Sequence, residues 1–367
     1  MDRDQVVAFR VGRQRLDARR PLTLAEAAAC PASDFQPGAA LLALAARSAA
    51  VTRKAYDRAT DSGEIVVGPS LRAAIHALAP SDFARYGRAL IAKQDDELGE
   101  QLGSALQRQL GDARIAPRDA LEEVAQAIAA TLAGGRALSK DELHEELRGR
   151  VRGALLPWCE GCASHHVAPM LWRFGGVRAG MRRDSRRAFL LGEPGESPDP
   201  AEAARSFLRF YGPATAKELG AWGGLARAHA RRLWAEIEDE LAEVRLDGRR
   251  QWLLGADEPA LASPPQALGV RLLPPRDPYL QHPDRAALAP DPAVRKRLFR
   301  PVAGPGAVLQ DGHLAGLWRA RARGKRAEVE VEELERIDRD ELESEAARLA
   351  ELRGADSALI TWRAPAA

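Results

Sequence analysis

The chain has 367 residues, of which 46% are hydrophobic and 29% charged, with a formal net charge of only +2. That composition excludes a disordered, fibrous or strongly polycationic protein, so any nucleic-acid surface must come from local clustering of charge. Its length predicts two to four domains, and only 6 of the 54 basic residues are lysine. The opening segment MDRDQVVAFRVGRQRLDARR has no apolar run of leader-peptide length, and no stretch of the chain has 18 consecutive apolar residues. A cytoplasmic protein, nucleoid-associated when bound to DNA, is the expectation. Three cysteines, Cys30, Cys159 and Cys162, cannot build a disulfide framework.

Three segments open alike, at Thr23-Leu-Ala-Glu26, Ser139-Lys-Asp-Glu142 and Thr215-Ala-Lys-Glu218. In each, a hydroxyl can accept from the amide three residues on while the glutamate returns to the cap amide, which marks a helix start. The first is followed by AALLALAARSA and RKAYDRATDSG as helices and by EIVV and LRAAIHALA as strands. Next, APRDALEEVAQAIAATLAGG repeats apolar residues at three and four and stops at Gly134-Gly135, as a bracing helix would.

After Ser139 come a helix DELHEELRGR, a Cys/His-containing connection, a helix HVAPMLWRF, and strands VRAGM and AFLLG around Arg182-Arg183-Asp184-Ser185-Arg186-Arg187. After Thr215 come a short helix to Trp222 and a Gly-Gly break. An Arg-rich helix follows, ARAHARRLWAEIEDEL, with Leu225, His229, Leu233, Ile237 and Leu241 on one stripe. AEVRLDGRRQWLL then alternates about Asp247-Gly248, a hairpin signal. GEPGESPDP (192–200) and ADEPALASPPQ (256–266) read as linkers. Beyond them GVRLLP, GAVLQDGHLAGLW and RAEVEVEEL read as strands, and IDRDELESEAARLAELRG as a terminal helix.

The predicted fold is α+β, mostly α: three tandem winged-helix units and a small C-terminal β domain. The boundaries are winged helix 1 over 1–92, a helical connector over 93–137, winged helix 2 over 138–196, winged helix 3 over 197–261, and the β domain with its helix over 262–367.

Arg178, placed in the strand before the hairpin, with Arg182, Arg183, Arg186 and Arg187 at its tip, can neutralise several phosphates. Attachment to a helix-turn-helix favours DNA contact over a solvated hairpin. A second strip, Arg319, Arg321, Arg323, Lys325 and Arg326, has its first three residues on one strand face, but Glu328, Glu330 and Glu332 can pair with it.

Cys159, Cys162, His165 and His166 are ligand types suited to zinc. The adjacency of the two histidines argues against it, so no metal is expected; the thiols pack in a connection and the histidines cap or touch DNA. With no GxSxG, Walker, GxGxxG, HExxH or EF-hand motif, no cofactor and no nucleotide ligand are expected. Asp34-Phe35-Gln36-Pro37-Gly38 is the candidate catalytic loop, although an aspartate there is more commonly a turn or cap residue.

PGAALLALAAR (37–47), LRAAIHALAPSDF (71–83), LPWCEGCASHHV (156–167), FLRFYGPATAKELGAW (207–222), LLPPRDPYLQHPDRAAL (272–288) and DGHLAGLWR (311–319) span almost the whole chain. Together they make it resemble the tandem winged-helix DNA-binding-domain family, of actinobacterial type, that includes the AlkZ- and YcaQ-like DNA glycosylases. The resemblance implies three winged helices and a β domain around a DNA channel, and excision of alkylated or crosslinked bases by water held on a Gln-x-Gln or Gln-x-Asp motif. Those positions fall on Ser33-Asp34-Phe35, where neither glutamine is present. A one-residue shift would use Asp34 and Gln36, a carboxylate and an amide able to orient water and stabilise an oxocarbenium-like sugar.

Arg72 and His76 match the family's arginine and histidine in a strand. Asp277, Asp284 and Arg285 match in the β domain, while Arg276 replaces an aromatic. Double-stranded DNA is the expected partner and a membrane is not. Three roles follow: a DNA-binding protein that has lost the motif, an active glycosylase for bulky or alkylated purines using Asp34 and Gln36, or a protein-interaction scaffold.

Overall fold

A computed structural model describes residues 2–192 and 198–363. Helix α1 (Arg3–Arg13) is capped by the Asp2 side chain, which accepts from the Asp4 amide. The four-residue α2 (Leu24–Ala27) and two-residue β1 (Ala32–Ser33) precede α3 (Ala39–Arg47) and α4 (Arg53–Ser62). Strands β2 (Val66–Pro69) and β3 (Ile75–Leu78) are followed by α5 (Pro80–Tyr86), α6 (Asp95–Leu102), α7 (Ser104–Asp112), α8 (Pro117–Leu132) and α9 (Lys140–Arg148). Next come β4 (Trp158–Cys159), β5 (Ser164–His165), α10 (Pro169–Ala179), β6 (Met181–Arg183) and β7 (Phe189–Leu191). The chain continues through α11 (Ala201–Tyr211), α12 (Ala216–Gly223), α13 (Arg227–Ala235), β8 (Leu241–Leu246), β9 (Arg249–Leu254) and α14 (Glu258–Ala262). It ends with β10 (Val270–Leu273), α15 (Arg285–Leu288), α16 (Pro292–Leu298), β11 (Gly306–Gln310), β12 (His313–Arg323), β13 (Arg326–Glu333), α17 (Arg339–Leu352) and β14 (Ser357–Arg363). The architecture is mixed, helical with small sheets.

All three capping boxes form: Thr23, Ser139 and Thr215 each accept from the amide three residues on, and Glu26, Glu142 and Glu218 each return to the cap amide at 2.8 Å. The chain divides into two compact units, Met1–Tyr56 with Arg205–Glu218 and Asp239–Ala367, and Asp57–Ala204 with Leu219–Glu238.

The first unit carries a five-stranded sheet in the order β10-β11-β12-β13-β14. Its first three pairings are antiparallel, and β14 joins β13 in parallel, as a helical crossover through α17 requires. Val7, Val11, Leu16, Leu273, Tyr279, Leu309 and Leu317 form a core cluster there. A second cluster joins Val6 and Phe9 of α1 to Leu246 and Leu253 of the β8–β9 hairpin. That hairpin turns on Asp247 and Gly248, both left-handed (φ +51° and +75°), the conformation an Asp-Gly two-residue turn needs.

In the second unit α8 packs on α10, with Gly175 so close that a Cβ there would lie 2.7 Å from Val124. Around them lie Leu98, Leu102, Leu121, Ile128, Leu143, Leu147, Leu171, Trp172 and Phe189. The hairpins β2–β3 and β6–β7 share one sheet, because β2 also pairs with β6. The two hairpins, expected in separate units, are therefore parts of one sheet.

Several expectations are corrected. The Arg-rich helix ends at Ala235 and not near Leu241, because Leu241 and Ala242 are claimed by the pairing with Leu254 and Leu253. LRAAIHALA is a strand only from Ile75, since Leu71–Ala73 form a 3-10 turn with Arg72 and Ala73 left-handed. Residues 256–266 are no bare linker: Leu261 of α14 is buried in the α1 cluster. The other linker, 192–200, lies partly outside the described residues. The β domain ends not on its helix but on β14, a half-exposed edge strand.

Candidate active site and nucleic-acid interface

Asp34 lies between β1 and α3 and is 6% exposed. Its carboxylate accepts from the amides of Gly38 at 2.9 Å and Ala40 at 3.4 Å, so it satisfies donors at the start of α3. The turn leading there needs Gly38, whose φ is +81°. Ser33 is buried beside it and its Oγ accepts from the Phe35 amide at 3.4 Å. Asp34 thus fills the cap role that such a residue most often has, and Gln36, two residues on, is exposed.

Phe35 is 55% exposed, and the guanidinium of the exposed Arg276 lies 4.3 Å from its ring centroid. Arg276 is held at both ends: its Nη2 donates to the Pro301 carbonyl at 2.7 Å, and its own carbonyl accepts from Gln281 Nε2 at 3.0 Å. The next residue anchors this segment. The fully buried Asp277 carboxylate takes two parallel bonds from Arg47, at 2.9 and 2.8 Å, and accepts from the Tyr279 amide. Arg47 also donates to the Ala43 carbonyl and to Gln14 Oε1.

Around this pair, Tyr211 donates to the Pro278 carbonyl at 2.9 Å and its hydroxyl lies 3.3 Å from Cys30 Sγ. His282 donates from Nε2 to the Tyr211 carbonyl and accepts at Nδ1 from the Asp284 amide, each at 2.7 Å. Burial, aided by Arg10, lowers its pKa well below the usual histidine value, so it is a neutral tautomer. Arg10 reaches Asp284 at 3.5 Å, Asp284 caps α15, and Arg285 lies over the Phe299 ring at 4.6 Å. Asp277 is thus buried in the scaffold and Asp284 caps α15, while Phe35, Gln36, Arg276 and Arg285 are exposed. The sequence placed Phe35 in the candidate loop and Arg276 where the family has an aromatic, but did not pair the two.

The second unit holds most of the expected DNA contacts. His76 is 1% exposed, with Nδ1 3.1 Å from Ser70 Oγ and 3.0 Å from the Ala74 carbonyl. Burial, with Arg72 adding to it, lowers its pKa to about 3. It is an internal residue. Arg72 is not in a strand; its left-handed turn packs against Gly224, where a Cβ would lie 2.8 Å from Arg72 Cγ.

Arg178, expected in a strand, is in the last turn of α10 and pairs with Glu122 at 3.1 Å. The hairpin tip is tied down as well. Arg182 Nη1 donates to the Thr60 carbonyl, Arg183 lies over the Phe189 ring at 5.1 Å, and Ser185 donates to Asp61 from both its amide and its hydroxyl. Arg186 is exposed, and Arg187 is half-buried with φ +72°. On the ribbon of the first unit, Arg319 donates to the Ala303 carbonyl and Arg321 pairs with Glu328 at 3.3 Å, so the acidic residues of β13 do engage that strip.

The adjacent histidines diverge. His165 is exposed, with Nδ1 bonded to the Leu156 carbonyl and its ring against Trp158. His166 is 8% exposed. Its hydrogen bond to Cys159, with help from the Cys162 amide, lowers that thiol to about 7.

Comparison with known proteins places this geometry. An interstrand DNA cross-link repair glycosylase of Streptomyces sahachiroi is 29% identical over 338 residues, covering 86% of each chain. The solved structure of the Streptomyces sahachiroi DNA glycosylase AlkZ is similar with a TM-score of 0.75 and 25% identity, covering 98% of both chains. The family model for DNA glycosylase AlkZ-like proteins matches residues 27–352, and the chain belongs to that family.

Proposed function

We propose that this protein binds double-stranded DNA through winged-helix elements and recognises alkylated or crosslinked purines, with the exposed Phe35–Arg276 pair as the platform a base stacks on. The observation that carries this reading is that pair itself. A flat aromatic and a guanidinium are held 4.3 Å apart on a rigid floor, and both groups stack on bases. Family membership supports DNA as the ligand, and the relative's printed name supports crosslinked DNA. Arg182, Arg183, Arg186 and Arg187 supply charge for the backbone.

A second reading, hydrolysis of the N-glycosidic bond, is favoured by Asp34 and Gln36. The carboxylate is fixed by two amides, and an exposed amide side chain sits two residues away. Alkylation already weakens that bond, so orienting water and stabilising the cationic sugar are the main demands.

Both readings are tested on duplex DNA carrying one 7-alkylguanine. Tighter binding to that duplex than to its undamaged counterpart, lost in Phe35→Ala, supports recognition. Alkali-labile strand breaks above the spontaneous rate, abolished by both Asp34→Asn and Gln36→Ala, support hydrolysis. Binding without breaks leaves recognition alone.

A further inference from the structure

The connection between α9 and α10 folds into a two-strand hairpin, β4 and β5, with Trp158 opposite His165 and Cys159 opposite Ser164. The turn brings Cys159, Cys162 and His166 together, one ligand atom of each within 4.8 Å of the others. We propose that these three side chains form a zinc site, a small knuckle that fixes this hairpin against the start of α10, with solvent completing the tetrahedron.

Three features of the chain fit a metal better than a casual packing of thiols. First, the Cys162 amide donates to the Cys159 carbonyl at 3.2 Å, closing a tight Cys-x-x-Cys turn whose two sulfurs lie within 4.8 Å of each other. Second, His166 bonds the Val167 carbonyl through Nδ1 at 2.8 Å. That fixes the tautomer and leaves Nε2 for a metal, the orientation that carbonyl-supported histidine ligands adopt. Third, Ala163, inside the turn, is left-handed at φ +47°, so the loop holds a conformation that costs free energy unless something repays it.

Tetrahedral zinc, with bonds of about 2.3 Å to sulfur and 2.0 Å to nitrogen, sets ligand atoms roughly 3.5–3.8 Å apart. Closing the present spread by about 1 Å is within reach of a hairpin whose Cys162 is exposed. The objection from the adjacent histidines disappears, because His165 faces Leu156 and Trp158 and only His166 turns to the sulfurs. The chemistry asked of the ion is structural. A three-residue N/S set suits zinc over calcium or magnesium, which take oxygen ligands.

The test uses the untagged full-length chain, reduced, given equimolar zinc and then gel-filtered. Elemental analysis is expected to show about one zinc per chain, kept by His165→Ala and lost from Cys159→Ser and Cys162→Ser, with circular dichroism confirming that each variant is folded. Cobalt(II) in place of zinc is expected to give a thiolate-to-metal charge-transfer band that disappears in the same two variants. Three results would overturn the site: no zinc retained by the reduced wild type, retention unchanged by Cys159→Ser, or loss on His165→Ala with His166→Ala unaffected.

Discussion

In sequence, the loop of Asp34–Gln36 reads as a candidate catalytic loop and the hairpin tip of Arg182–Arg187 as a phosphate-neutralising cluster. Their support differs. The loop faces Arg276, whose neighbour Asp277 is locked by two bonds to the buried Arg47. The tip is secured by bonds at the surface, such as Ser185 to Asp61. Arginine number therefore says little; what an arginine does depends on whether its partner is buried.

The largest effect is expected from Asp277→Ala, which leaves Arg47 buried and unpaired. Removing one partner of such a pair costs about 3–5 kcal/mol, so urea unfolding is expected to show that loss or no folded protein. A loss below 1 kcal/mol would erase the contrast.

Next is acid. His76 is neutral in the folded chain down to about pH 3 but takes a proton near pH 6.5 when unfolded. A histidine whose folded pKa is depressed supports stability above the unfolded value and loses that support as pH falls below it. Between pH 7 and pH 5 this one group weakens folding by about 2 kcal/mol, and a His76→Gln variant is expected to show a flatter pH dependence. Equal slopes would mean that His76 is protonated in the fold.

Reversing charge at Arg182 and Arg183 is expected to weaken duplex binding roughly tenfold at low salt and to cut the salt slope by about 1.8, two phosphates at roughly 0.9 each. An unchanged slope would remove the hairpin from the interface. The smallest effect belongs to Arg321→Ala. Its partner Glu328 stays on the ribbon, the side chain is 72% exposed, and exposed pairs contribute about 0–1 kcal/mol, so thermal unfolding should barely move.

Local chemistry was readable in the sequence. The three capping boxes, the Asp247-Gly248 turn and the stop at Gly134-Gly135 all formed where their residues implied. What depended on distant partners was not. The early end of α13 comes from a strand partner at Leu254, and β14 exists because β13 offers an edge beyond α17. Arg178 was placed in a strand, but Gly180, left-handed at φ +74°, ends the helix only after it.

The candidate site follows the same rule. Asp34 and Gln36 stood out as polar residues in a short loop, whereas Phe35 and Arg276 are far apart in sequence and meet only in the fold. His165 and His166 were equivalent on paper; the carbonyls they bond separate them.

The central claim is that Phe35 and Arg276 read a damaged base. The most direct test is to compare the affinities of wild type and Phe35→Ala for one duplex with and without a single 7-alkylguanine, at fixed salt. The account predicts that wild type prefers the alkylated duplex and that the variant binds both alike with its affinity for plain duplex intact. Equal affinities for wild type, or a preference that survives in the variant, would contradict it.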